Sequence, residues 1–473
     1  MLQKYSVSIV YLLSAIFLVI STIFLVKEVF IIYALPIVLF VSLLALLSLD
    51  KLLLIIVFFT PLSVSLTDIG MGVGMNLPTE PILFGILVLL LLKYLMDNPL
   101  SKDIITHPFS IIIYFYLAWM LICSVASQDM LVSFKFFISK LWYILPFYFF
   151  IPYMLNNYKS IVSFYTIYTT GLMIVIAYTI INHSNYGFDQ HSSGWVMTPF
   201  FRDHTSYGAT LAMMLFPISG LSLFYPIKGK LKWFLISAFF VLLLGLFFSY
   251  TRAAWLSVIG SLGVGILMYF KVQVKTLFFL LIFICAAFFM NQNQIFMFLE
   301  KNNQDSSENI TEHIQSISNI STDASNLERI NRWKSGIRMF KEKPVFGWGP
   351  GTYQFFYASY QHPNEKTIIS TNAADRGNAH SEYIGALAES GLLGSILFSL
   401  LVLIVGVRSV NIFYKTVNEK ERILIASTLL GLVTYFIHAF FNNFLDMDKV
   451  SVLFWAMISI LMVLDLKIRG RSI

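Results

Sequence analysis

The sequence predicts an all-α polytopic membrane protein with about fourteen transmembrane helices. Three observations carry this. The 473-residue chain is 58% hydrophobic and only 12% charged, against about 25% charged in soluble proteins. Apolar runs of spanning length recur from one end to the other. These runs are continuous rather than alternating, so they are helices and not strands of a barrel.

Taken in order, the apolar runs fall at about 6–26, 29–49, 52–66, 81–96, 109–127, 141–155, 161–181, 207–226, 233–250, 253–270, 276–290, 383–406, 423–441 and 450–466. The first two are separated only by Lys27 and Glu28 and the third is short, so twelve or thirteen spans are also compatible. The first run is too long for a secretory leader and no small-residue cleavage site comes after it, so a retained span is expected.

Orientation is set by the basic residues, which favour cytoplasmic loops. Lys467, Arg469 and Arg471 place the C-terminus inside. Counting back, Arg408–Arg422, Lys271–Lys275, Lys228–Lys232 and Lys4 also fall inside. Segment 128–140 does not fit, and its Lys135 and Lys140 are expected at the ends of an interfacial amphipathic helix. The net charge of +7 is thus topological. No basic face with interleaved aromatics supports nucleic-acid binding. Cys123 and Cys285 lie inside apolar runs and read as small core residues.

Three regions result: a transmembrane region at 1–290, a large outer loop at 291–382 and a transmembrane region at 383–473. Two further outer segments, 67–80 and 182–206, are a glycine-rich loop and a polar stretch ending in Arg202, Asp203 and His204. The histidines of that stretch lack helical metal-ligand spacing, and no metal is expected.

The long loop carries a charge gradient. Six acidic residues and one lysine lie between Glu300 and Glu328, then six basic residues and one glutamate between Arg329 and Lys343. The basic half has helical periodicity. Ile330, Trp333, Ile337 and Phe340 share a narrow face with Arg329 at its edge, and Lys343-Pro344 ends the helix. This face is expected to lie on other loop elements or on the membrane surface.

Chemistry is expected from a few side chains. Arg329 and Arg332 are either snorkelling residues or binders of an anionic headgroup; a planar guanidinium suits a diphosphate because its bonds are bidentate and charge-assisted. Arg252 sits between two apolar runs on the face where basic residues are scarce, a default functional position. Arg202 has the same placement, with Asp203 as a possible partner. His380 precedes a span and is either a satisfied polar residue or a general base, since an unperturbed imidazole is neutral at pH 7. By helical geometry neither Glu382 nor Glu389 orients it.

These residues lie in three blocks. They are TRAAW at 251–255, R-x-x-x-W followed by PVFGWGPG over 329–351, and AHSEYIGALAESGLLG at 379–394. Together, around one long loop, they resemble the O-antigen ligase and polymerase superfamily of bacterial membrane glycosyltransferases. The resemblance covers roughly 200–450 and makes the first two spans an addition to a twelve-span core. It implies a multi-pass protein of the cytoplasmic membrane with its active site on the periplasmic face. The reaction would be an inverting, metal-independent transfer from an undecaprenyl-diphosphate-linked glycan, with no cofactor. The acceptor would be lipid A-core or a protein in a ligase, or another carrier-linked glycan in a polymerase. His380 would be the base, and Arg252 and Arg329 would hold the diphosphate. Ser381 departs from the asparagine common there. Arg338 and Gly349, with ten residues between them, are similar to a polymerase loop pattern. A transporter of the same lipid-linked glycan is the rival class. It would show mid-span charges and two similar halves with broken helices, and neither is seen.

Overall fold

A computed structural model describes residues 48–65, 76–97, 100–273, 276, 327–366, 370 and 377–471. The expected spans at 6–26, 29–49 and 276–290 lie outside the described residues apart from edge positions, as do Cys285, most of the glycine-rich segment and the acidic stretch 301–326. The chain divides after Ile56. Of the first unit only 48–56 is described, as the beginning of the helix Leu49–Phe59. The second unit, Val57–Ile473, contains the helical bundle and the described part of the outer loop.

The protein is an all-α polytopic membrane protein. Nine helices among the described residues are long and apolar enough to cross a bilayer. Strand is confined there to one two-residue antiparallel ribbon, Val64–Ser65 with Asn76–Leu77. The expected third span at 52–66 is instead the end of an eleven-residue helix followed by this ribbon.

The expected interfacial helix at 128–140 is also replaced. Met130–Met154 is one 25-residue candidate span. Asp129 caps it by accepting from Val132 N at 3.1 Å. It continues because Pro146, which has no N–H to donate, is absorbed in a π-helical turn at Leu145–Phe150. Lys140 therefore does not snorkel. It is buried, donates to Leu445 O at 2.6 Å and lies over the Phe136 ring.

The centre of the bundle is Asp448–Ile468, buried on every side until its last turn. A helix apolar all round belongs inside, and it packs on Met130–Ile144, His204–Ser219, Glu382–Lys415 and Glu419–His438. The His204–Ser219 helix is as deeply placed against Glu419–His438. Their approach needs a missing side chain: a Cβ on Gly431 would stand 2.6 Å from Met213 O.

In the outer loop, a helix spans 327–342. Of the expected apolar face only Ile330 is buried. The buried side is mostly polar, with Glu328, Asn331, Arg332, Ser335 and Met339, whereas Trp333, Ile337 and Phe340 are half-buried or exposed. The cause is hydrogen bonding. Glu328 and Arg332 pair at 2.8 Å, Asn331 Nδ2 donates to Gln361 Oε1 at 2.9 Å, and Ser335 Oγ donates to Asn331 O. Such groups are costly to bury without partners, so the side that supplies partners becomes the inside.

Beyond this helix the FGWGPG turn docks into a break in the next span. The helix Glu382–Lys415 is interrupted at Gly391, with φ 66°. There the turn supplies bonds across the gap. Trp348 N donates to Ala388 O, Gly349 N to Glu389 O, and Leu392 N to Pro344 O, at 2.9–3.0 Å. A Cβ at Gly347 would meet the Glu389 carbonyl carbon at 2.4 Å, and one at Gly391 would meet Val345 O at 2.0 Å. Both glycines have left-handed backbone. The PVFGWGPG block and the AESGLLG block are two halves of one joint.

Candidate functional site

The site gathers at one end of the spans, from elements far apart in sequence. Asp203 caps the helix His204–Ser219, accepting from Ser206 N at 2.7 Å and Thr205 Oγ1 at 2.5 Å. Arg252 is the first residue of the helix Arg252–Tyr269. That helix is fastened to His204 by Thr251 Oγ1, which donates to His204 O at 2.7 Å. Arg329 comes from the first turn of the 327–342 helix.

His380 is held in a specific shape. Its backbone is left-handed, with φ 47°, uncommon outside glycine. Asn378 Oδ1 accepts from its N–H at 3.1 Å, and Trp333 Nε1 donates to its carbonyl at 3.3 Å. The next residue, Ser381, caps the adjoining span by accepting from Ile384 N. Glu382 then anchors this start, accepting from Phe444 N at 2.9 Å, Leu445 N at 2.8 Å and Tyr435 Oη at 2.7 Å. Glu389 accepts from Tyr353 N at 3.0 Å. Both glutamates thus fasten backbone, and neither orients the imidazole.

The charges of these residues act on one another. Burial first, and then the Arg332 and Arg329 guanidiniums, push the His380 pKa down to about 4, with Asn442 and Asp203 opposing them. Burial is also the main cause lowering Arg329, with Arg252 adding to it and Asp203 countering. Arg329 thus feels the charges of both Arg252 and Asp203, and the His380 imidazole feels those of Arg329 and Asp203. Such an arrangement suits a multiply charged anion next to a group that loses a proton.

Arg329 lies within electrostatic reach of both Arg252 and His380. Arg332 is placed differently. Its Nε bonds Glu328, its Nη1 donates to Asn378 O at 3.2 Å, and its guanidinium lies over the Tyr357 ring. It supports the His380 segment from behind. Arg202 lies next to Asp203 but lines a neighbouring cleft of about 550 Å3. Its Nη2 lies 3.4 Å from Ser65 Oγ. Ala379 and Ser381 form part of the cleft wall, together with Lys140, Glu389 and Asp446. Arg338, of the polymerase-like spacing, binds Tyr360 O at 2.7 Å and Glu365 at 2.5 Å.

Sequence reasoning missed Asn442, which acts together with His438. Asn442 acts on the His380 ring in the sense that favours its protonated form, and its Nδ2 lies 3.1 Å from His438 Nε2. His380 Nδ1 is buried with no hydrogen-bond partner among the described residues. No signal in an apolar FFNNF stretch marks this role, which exists only once Glu382 has been fastened to Phe444 and Leu445.

Residues 237–399 match the family model described as O-antigen ligase. The match takes in Arg252, Arg329, Arg332 and His380 and leaves out Arg202 and Asn442. No curated protein matches the chain. The matched segment, about a third of the chain, together with the nine apolar helices among the described residues, supports the O-antigen ligase superfamily.

Proposed function

We propose that the protein transfers a glycan from undecaprenyl diphosphate to an acceptor hydroxyl on the outer face of the bacterial cytoplasmic membrane. The observation that supports this reading is that Arg329 feels the charges of Arg252 and Asp203 and, with Arg332, lowers the pKa of the half-buried His380.

Each step rests on a named group. The donor's lipid tail stays in the bilayer and its diphosphate rises to Arg252 and Arg329. Arg202 assists from the cleft. The His380 imidazole takes the proton of the acceptor hydroxyl as that oxygen attacks the anomeric carbon. The bond to the diphosphate oxygen breaks, and the guanidiniums stabilise the charge that develops there. Attack opposite the leaving group inverts the anomeric centre, and no metal is required when two arginines neutralise the diphosphate. Asn442 is a positioning residue beside the His380 ring, and Arg332 holds the backbone behind it.

Reconstitution tests this reading. The purified protein in vesicles, given an undecaprenyl-diphosphate oligosaccharide, is expected to release undecaprenyl diphosphate only when an acceptor is present. One-step capture by lipid A-core marks a ligase, whereas a ladder of carrier-linked products marks a polymerase. No turnover with either acceptor class overturns the proposal.

The arginines have their own test. Arg252→Lys and Arg329→Lys keep the charge but lose the bidentate fork. Each is expected to lower kcat/KM for transfer by about tenfold or more. Full activity in both variants would remove the diphosphate clamp.

A further inference from the structure

A second basic site lies at the end of the bundle opposite His380. Here the helices Glu382–Lys415 and Asp448–Ile468 finish together and enclose a pocket of about 900 Å3. Four cationic side chains line it, Arg408, Lys415, Arg469 and Arg471, against one carboxylate, Asp465. That carboxylate is already saturated. Arg408 Nε reaches it at 2.6 Å, Arg469 Nε at 2.8 Å and His107 Nε2 at 2.9 Å. Arg471 spends one nitrogen on Asp103, at 2.9 Å.

Donors remain after this pairing. Arg408 Nη2 is buried and has no hydrogen-bond partner among the described residues. Lys415 is exposed. A buried guanidinium nitrogen without an acceptor is costly, and an anion in the pocket would remove that cost. Apart from Asn411 the remaining wall is aliphatic, with Leu403 and Ile468 among its members. Depth fits as well. Arg408 lies about 25 Å along the helix from the Gly391 break, close to the ~30 Å thickness of a bilayer's hydrocarbon core. Cations at headgroup depth with aliphatic walls beside them are complementary to a lipid carrying a phosphate and acyl chains. Inorganic phosphate would use the donors and leave the walls without a partner.

We propose that this pocket binds the headgroup of an anionic phospholipid in the leaflet opposite the His380 site. The lipid phosphate takes Arg408 Nη2 and the free donors of Lys415 and Arg469, and its acyl chains lie along the aliphatic wall. The site does not depend on the transfer reaction.

The full-length protein in detergent, titrated with phosphatidylglycerol or phosphatidylcholine and followed by native mass spectrometry, tests this. Phosphatidylglycerol is expected to bind preferentially. Lys415→Gln and Arg469→Gln, both at exposed or half-exposed positions, should each weaken it about fivefold. Val407→Trp, which fills the pocket without touching a charge, should abolish the preference. Equal binding of the two lipids, or charge variants that bind like the native chain, would overturn the proposal. So would displacement of phosphatidylglycerol by inorganic phosphate at constant ionic strength, which would make the pocket a simple anion site. None of these measurements uses glycan transfer, so they fail or succeed apart from it.

Discussion

His380→Asn is expected to slow glycan transfer by about 10²–10⁴-fold at pH 7, the usual contribution of a positioned general base. Asparagine is the informative replacement because it tolerates the left-handed backbone at φ 47°, so the melting temperature in detergent should stay near the native value. A rate within a few-fold of native would end the base assignment. The pH profile provides an independent reading. His380 is held down to about 4, chiefly by burial, so the imidazole accepts protons throughout the neutral range. Transfer should hold as pH falls from 7 and drop only on approaching 4, whereas a solvated histidine would produce a drop near 6.5. Stability has the same sign. The unfolded chain protonates this histidine first, so its contribution is present above about 6.5 and is lost as pH falls towards 4. Asn442→Ala should cost less, at most about 10²-fold, and should move the acid limb lower because a contact favouring the protonated ring is gone.

Gly347→Val is expected to be the most damaging substitution outside the charged cluster. The new Cβ would stand 2.4 Å from the Glu389 carbonyl carbon, and both partners are backbone. Its φ of 69° is a further penalty for a β-branched residue. Neither side can yield, so the turn should leave the Gly391 break, with a stability loss of about 3–5 kcal/mol. A fall in melting temperature together with new proteolytic cleavage within 327–366 would register this. Gly470→Val is the control, since its φ of 67° is similar but nothing lies within 4 Å of its Cβ. If both variants melt alike, backbone strain and not the joint explains the effect.

How far the sequence was legible depended on the range of the forces involved. Apolar runs showed most of the described spans because bilayer solvation acts on each segment alone. Lys343-Pro344 showed where the loop helix stops, since that restriction is local. Which face of this helix turns inward was not legible. Apolar periodicity pointed to Ile330, Trp333, Ile337 and Phe340, of which only Ile330 is buried; the Glu328–Arg332 pair and the partners of Asn331 decided the rest, and Gln361 and Ser370 among those partners lie thirty or more residues away. The same limit hid Asn442, whose role depends on Glu382 fastening a turn more than sixty residues later. Arg202 and Arg332 looked equivalent to Arg252 and Arg329 as isolated basic residues. Only their neighbours distinguish a guanidinium tied to a buried glutamate from one facing another guanidinium.

The joint at Gly391 also bears on inheritance. Because the outer loop closes its own hydrogen bonds through the backbone of the next span, the loop is not a module that recombination can exchange by itself. A chimera that imports a relative's loop but keeps the native span after Glu382 would pair a foreign turn with a break shaped for another. The unit that can be exchanged runs from the loop helix at 327 through Gly394, and variation in substrate choice should travel between lineages in pieces at least that long.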